Sequence, residues 1–188
     1  MLYLPPGIAH WGTATRACIT YSIGMRAPQL SDLGGALPDA QDENPFYEDP
    51  DLSAAEARPG YIAPQAISRA ADLLTIRKEP RAIAEALGRY VTETKAWLRP
   101  ENATEDDVSQ CLQHRLRLPV HGMARIAWDD CNVYVNGCSR TFDSEEAALV
   151  EEICRLRKLP GHAFARESTH QLIGWMMKMG AFELPGNL

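Results

Sequence analysis

The stretch NVYVNGCSRTF, residues 132–142, constrains the fold more than any other part of the chain. Asn-Gly between two β-prone runs marks a two-residue hairpin, because both central positions of that turn take positive φ and these residues tolerate it best. MARIAW, residues 123–128, places another strand just before the hairpin. Asp143 then stands three residues ahead of Glu146, the spacing of a capping box, which predicts a helix through about Lys158.

The chain beyond the hairpin continues in the same legible way. A second helix is expected from a Ser168 cap through LIGWMMKM to Gly180, a residue suited to a left-handed helix end, and AFEL is expected to close as a strand. Residues 116–188 therefore have the layout of a small winged-helix-like module. Such modules often bind DNA, but STHQLIGWMMKMG carries one lysine and no arginine, so direct DNA binding is not expected. Met176, Met177 and Met179 with Trp175 read as core.

Residues 29–115 open with PDAQDENPFYEDPDLSAAEARPGY, whose Pro, Asp and Glu content is that of a long irregular connection. Helical spacing follows. Ile67, Ala70, Ala71 and Leu74 share a face within Pro64 to Arg77, and Ile83, Ala84, Leu87, Tyr90, Val91 and Thr94 do so within Pro80 to Leu98. Pro64 and Pro80 sit where a first helical turn accepts proline. A shorter helix begins after Thr104 and includes Val108, Cys111 and Leu112. Their apolar faces are expected to pack within the domain or to dock a second subunit.

The first 28 residues are strand-like. Met1 to Leu4 lead into the stiff turn Pro5-Pro6-Gly7, which delivers His10 to a fixed place. Within ACITYSIGM, alternation puts Cys18, Thr20, Ser22 and Gly24 on a small, partly polar face, and Ala17, Ile19, Tyr21, Ile23 and Met25 on a large apolar one. The small face suits a wall that leaves room for a ligand, or an ordinary half-exposed strand.

Composition sets the outer limits. With 188 residues, 45% of them apolar and 23% charged, the chain is neither disordered nor fibrous. It has no apolar run of the roughly 18 residues that span a bilayer, nor a secretory leader, so the cytoplasm is the expected compartment. The five cysteines contain no C-x-x-C pair and are expected to be buried small hydrophobes rather than disulfides or zinc ligands. The net charge of −6 favours a basic partner.

YLPPGIAHWG, with Ser22 twelve residues beyond His10 in TYSIGMRAP, resembles the second half of a cupin of the JmjC type. More narrowly it resembles the bacterial ribosomal oxygenases, which hydroxylate an arginine of a large-subunit ribosomal protein with iron(II) and 2-oxoglutarate. FYEDPDL, YVTETKAWL, VYVNG and IGWMMKMGAFEL follow in the order of that family's helical dimerisation region and winged helix. The resemblance implies an α+β chain in three parts: residues 1–28, the terminal strands of an incomplete barrel; 29–115, the linker and helical dimerisation region; and 116–188, the winged-helix-like domain. A homodimer through the helices and a ribosomal protein substrate are implied, with no membrane partner.

The same resemblance makes His10 one ligand of a two-histidine, one-carboxylate iron site. It places Ser22, and less directly Met25, in the substrate-side wall. The remaining ligands come from an H-x-D pair on an earlier strand. None of His114, His121, His162 and His170 has Asp or Glu two positions later. The basic anchor of 2-oxoglutarate belongs with that pair, and Arg16 and Arg26 read better as surface or strand-end residues. Met1 is thus expected to be internal to a longer protein, and the 188-residue chain is expected to be inactive alone. The alternative is a non-catalytic dimeric interaction or regulatory module.

Overall fold

A computed structural model describes residues 4, 8–19, 21, 28–29, 31–32, 47, 58–73 and 79–184. Its centre is the expected hairpin. Strands β1 (Ile126–Trp128), β2 (Asn132–Val135) and β3 (Cys138–Thr141) form an antiparallel sheet in that order. Trp128 faces Val133 across the first pair and Val135 faces Cys138 across the second. Asn136 and Gly137 take φ of 50° and 86°, the two positive values that the turn requires.

The turn is tied down from three sides. Asn136 Nδ2 donates to Met179 O at 2.7 Å, and its Oδ1 accepts from Arg125 N–H at 3.0 Å. Gly137 N–H donates to Thr92 Oγ1 at 3.1 Å, while Arg89 Nε donates to Gly137 O at 3.0 Å.

Among the described residues the helices α1 (Pro64–Leu73), α2 (Pro80–Thr92), α3 (Glu105–His114), α4 (Ser144–Leu156) and α5 (Glu167–Lys178) accompany the sheet. Helix α2 packs on the sheet, where Gly88 meets the Tyr134 ring so closely that a Cβ would lie 2.3 Å from it. On the opposite side Val133 and Val135 join Val150, Ile153, Leu172, Ile173, Met176 and Phe182 in the main core. Alternation along β2 accounts for this division, sending Tyr134 one way and its valine neighbours the other. Ala103, Val108 and Cys111 belong to the same core, so helix α3 and the sheet-bearing segment share one interior. A smaller cluster joins Tyr47, Ala66, Ala70, Ile83 and Leu87 between α1 and α2.

The caps follow local chemistry. Asp143 Oδ1 accepts the N–H groups of Glu145 and Glu146 at 2.9 and 2.8 Å, and Asp143 N–H donates back to Glu146 Oε2 at 3.2 Å. Thr104 and Asp107 form a second capping box at the start of α3. The methionines behave as expected: Met176 and Met177 are buried, with Trp175 and Met179 packed beside them. Gly180 ends the last helix at φ 74°.

Four expectations are corrected. The helix predicted through Leu98 stops at Thr92: Thr92 Oγ1 donates to Gly88 O at 2.8 Å, Glu93 is extended, and a separate 3-10 turn spans Ala96–Leu98. Pro100 reinforces the stop by holding Arg99 extended, and Val91, expected on the apolar face, is 40% exposed. The cap of α5 is Arg166, not Ser168; Thr169 Oγ1 satisfies Ala163 O and Arg166 O instead.

AFEL makes a single antiparallel bridge, Val120 with Phe182, rather than a strand, because among the described residues its backbone bonds reach across only to the short run 119–121. Cys111 and Cys154 are buried, but Cys18 and Cys131 are exposed and Cys138 is half-buried. Burial pushes the Cys111 thiol up to about 11 and the Cys154 thiol to about 12, so both are inert. The helix read as far as Arg77 is described to Leu73; its remainder lies outside the described residues.

The free edge of β1 is covered by residues 58–62. Trp128 N–H donates to Gly60 O and Ile62 N–H donates to Trp128 O, both at 2.7 Å. Gly60 has φ 74°, and a Cβ there would fall 2.8 Å from Ile126 O, so this close approach requires glycine. The Arg58 guanidinium lies 4.2 Å from both the Tyr61 and Trp128 ring centroids and bonds Glu151 with two nitrogens at 2.8 and 2.9 Å. A sheet edge that would otherwise invite another strand is closed in this way.

Candidate metal centre

His10 lies in a run, residues 8–19, of which every residue is exposed. Its Nδ1 stands 3.2 Å from Ile8 O, a local contact two residues back along the chain. Trp11, Ile19 and Tyr21 are 94%, 82% and 89% exposed. Residues 17–19 and 21, expected to be strand, form none: ladder bonds need a neighbour, and these residues have no paired strand among the described residues. Ser22, Met25 and Arg26 lie outside the described residues, and Arg16 is exposed.

Of the metal-ligand and substrate-wall residues expected from sequence, His10 is thus the one that the structure describes, and its hydrogen-bond contact is local. Among the described residues no three His, Cys, Asp or Glu side chains are placed to hold a metal ion. A lone imidazole lacks the further ligands and the anionic charge that iron(II) requires, so the described residues do not fit an iron centre by themselves.

The polar groups that are well organised lie elsewhere. Asp129, only 3% exposed, accepts the N–H groups of Cys131 and Asn132 at 2.7 Å each through Oδ1, and the Tyr134 hydroxyl at 2.6 Å through Oδ2. Burial, then the bond to Asp129, raises the Tyr134 phenol far above its ordinary value. Burial raises Tyr61 to about 12, helped by its 2.6 Å bond to Asp130. The two phenols resist ionisation, and their bonds to Asp129 and Asp130 hold structure.

Two hollows lie around the turn Ala96–Leu98. One, of about 330 Å³, is lined by Trp97, Arg99, His121, Met123, Phe182 and Leu184 among others. Another, of about 230 Å³, is lined by Thr94, Lys95, Gly122, Ala124 and Arg125, and shares Leu98 and Met123 with the first. Sequence reasoning missed this groove because it placed Leu98 on a helix. The available signal was Pro100, which biases Arg99 away from helical conformation and leaves Trp97-Leu98 outside the regular face.

Comparison with known proteins bears on the first part of the chain through a family model and on most of its length through individual relatives. Residues 1–33 match the JmjC domain. The chain is 28% identical to the ribosomal protein uL16 3-hydroxylase of Escherichia coli K12, over 73% of the chain and 39% of that protein. It is 38% identical to a probable ribosomal oxygenase of Haemophilus influenzae, over 30% of the chain and 13% of that protein. The E. coli ribosomal oxygenase YcfD aligns in structure at a TM-score of 0.46 with 18% identity, covering 84% of this chain and 44% of that one. A YcfD structure with cobalt and 2-oxoglutarate aligns at 0.45 with 19% identity, covering 82% and 42%.

The resemblance to ribosomal oxygenases is thus upheld in sequence over part of their length. The chain spans less than two thirds of the curated relatives it matches. Its mixture of helices with a small antiparallel sheet is as expected for the α+β class. Among the described residues no helix is long and apolar enough to cross a membrane.

Proposed function

We propose that this chain is the C-terminal portion of an iron(II)- and 2-oxoglutarate-dependent dioxygenase that hydroxylates an arginine of a large-subunit ribosomal protein. The observation that carries the reading is the E. coli hydroxylase match, which covers 73% of the chain. The JmjC match over residues 1–33 contains His10. In this reading His10 is the metal ligand and Ser22 and Met25 belong to the substrate-side wall. Iron(II) and 2-oxoglutarate supply the oxidising chemistry when the rest of the site is present.

The division into residues 1–28, 29–115 and 116–188 belongs to the same proposal, as do dimerisation through the helical region, the winged-helix-like identity of the last part and a cytoplasmic location. The chain alone does not turn over. Fusing it behind the H-x-D-bearing half of the E. coli hydroxylase tests the reading: mass spectrometry should find one added oxygen on a uL16 substrate, lost in His10→Ala. An unmodified substrate with a folded fusion, or activity that survives His10→Ala, overturns it.

A second reading, a non-catalytic dimeric interaction module, is favoured by one observation. Among the described residues, the buried members of the main core lie within residues 103–182 and none comes from the JmjC-matching segment. An inactive fusion whose isolated 188-residue chain sediments as a dimer favours this module.

A further inference from the structure

We propose that the groove around Ala96–Leu98 docks an acidic peptide segment bearing one large apolar side chain, presented by a protein partner. The groove is preformed. Its floor includes Phe182, 1% exposed, and Gly180 lets the chain cross so close to Pro100 that a Cβ would stand 3.1 Å from the proline Cβ. His121 N–H donates to Ala181 O at 2.9 Å, fixing the opposite wall to the same crossing.

The apolar component is exposed where it need not be. Trp97, Leu98 and Met123 are 77%, 37% and 44% exposed and meet in this one place. Clustered aromatic and methionine side chains beside arginine are the composition of an interface centre, whereas single exposed apolar residues are unremarkable. A hollow of about 330 Å³ lies at the lower end of the roughly 300–1,000 Å³ of ligand pockets, so it admits one anchoring side chain rather than an extended surface.

Charge selects the partner. Lys95, Arg99 and Arg125 line the two hollows, and none pairs with a carboxylate among the described residues, whereas Arg58, Arg140, Arg166 and Lys178 all do. Lys95 Nζ stands 5.2 Å from the Trp97 ring centroid, Arg125 Nη1 donates to Glu93 O at 2.9 Å, and Arg99 Nη2 lies 3.9 Å from Cys138 Sγ. Glu101 is the one acid in the lining. His121 Nδ1 accepts from Met123 N–H at 3.1 Å, so its Nε2 is the protonated nitrogen and adds a donor.

Thr94 Oγ1, buried at the second hollow, has no hydrogen-bond partner among the described residues and is a further polar group for a ligand to satisfy. A local patch of cations without carboxylate partners among the described residues is complementary to an acidic segment, even though the chain as a whole carries a net charge of −6. With Trp97 as the single exposed aromatic in its lining, the groove suits one apolar anchor better than a run of stacked bases.

Fluorescence anisotropy on the intact 188-residue chain tests this with three labelled probes: a short peptide of Asp and Glu flanking one Phe, the same peptide with Lys for each acid, and oligouridine RNA. The acidic peptide should bind saturably and weaken as salt rises. It should lose about tenfold or more in affinity in the double variant Lys95→Glu/Arg99→Glu and in Trp97→Ala, with unchanged thermal melts showing that the variants fold. Absence of binding, equal or tighter binding of the basic peptide or the RNA, or full affinity in Trp97→Ala overturns the proposal.

Discussion

Trp11 and Trp128 are the same side chain in opposite settings. Trp11 is 94% exposed on a run with no paired strand among the described residues, whereas Trp128 is 3% exposed, paired with Val133, and covered by Arg58 and Tyr61. Both lie in apolar, β-prone sequence. What differs is company: β2 has a partner on each side and a helical layer on each face, while residues 8–19 have neither among the described residues. Apolar alternation specifies which side of a strand will be buried, but pairing and a second layer are what make it a strand.

The sharpest way to break the packed side of that contrast is Asp129→Ala. It removes the acceptor of two backbone N–H groups and of the fully buried Tyr134 hydroxyl, whose other contact is Asn132 Nδ2 at 3.5 Å. A loss on the order of 3 kcal/mol is expected, because the stranded donors keep their full desolvation cost. For a chain of this size that corresponds to a melting point lowered by roughly 6–12 °C. A shift of a degree or two would mean that water enters the site and the network contributes little.

Gly88→Ala comes next. Its new Cβ would stand 2.3 Å from the Tyr134 ring, too close for either group to relax without parting α2 from the sheet. Overpacking of this kind costs about 1–3 kcal/mol. The substitution raises intrinsic helix propensity, so an unchanged or raised urea midpoint would show that α2 does not sit on Tyr134 as described.

These two sites show what the sequence could and could not disclose. Asn136-Gly137 and Asp143 with Glu146 were legible because turns and caps are settled within a few residues. The helix boundary at Thr92 was not, because its hydroxyl is engaged by Gly137, forty-five residues away. Neither was the role of Gly88, which reads as a flaw in a helix until Tyr134 is placed against it. Of the candidate site, His10 was identifiable by motif, yet a metal centre is a meeting of distant residues, and the described ones do not meet.

Asp143→Ala tests the local end of the scale. It unmakes the cap of α4, freeing the N–H groups of Glu145 and Glu146, and should cost about 1 kcal/mol by chemical denaturation. The same loss at Ser168→Ala would contradict the placement of the α5 cap at Arg166.

A smaller effect is expected in acid. The Arg58 guanidinium, bonded to Glu151, holds that carboxyl below its ordinary value of 4.5. A depressed folded-state value means the contribution is present above pH 4.5 and is lost as pH falls through the lower folded value. The side chains are 42% and 41% exposed, so solvent screening leaves only a fraction of about 1 kcal/mol. Glu151→Gln should therefore match the parent at low pH and fall slightly below it near neutrality; a deficit that persists at the acid end would indicate lost packing of Arg58 on Trp128 instead of lost charge.

The smallest effect should come from the other side of the comparison. Trp11→Ala in the 188-residue chain removes a large side chain that touches mostly solvent, so its melting point should stay within the change produced by about 0.5 kcal/mol. Fused behind the N-terminal half of the E. coli hydroxylase, the same substitution should cost several-fold more if that half buries Trp11, because burying an indole and then truncating it costs roughly 3–5 kcal/mol. A large loss in the unfused chain would mean residues 8–19 already pack. An equally small effect in both settings would mean the apolar run acquires no partner from the barrel half, and that His10 is not carried into a metal site by it.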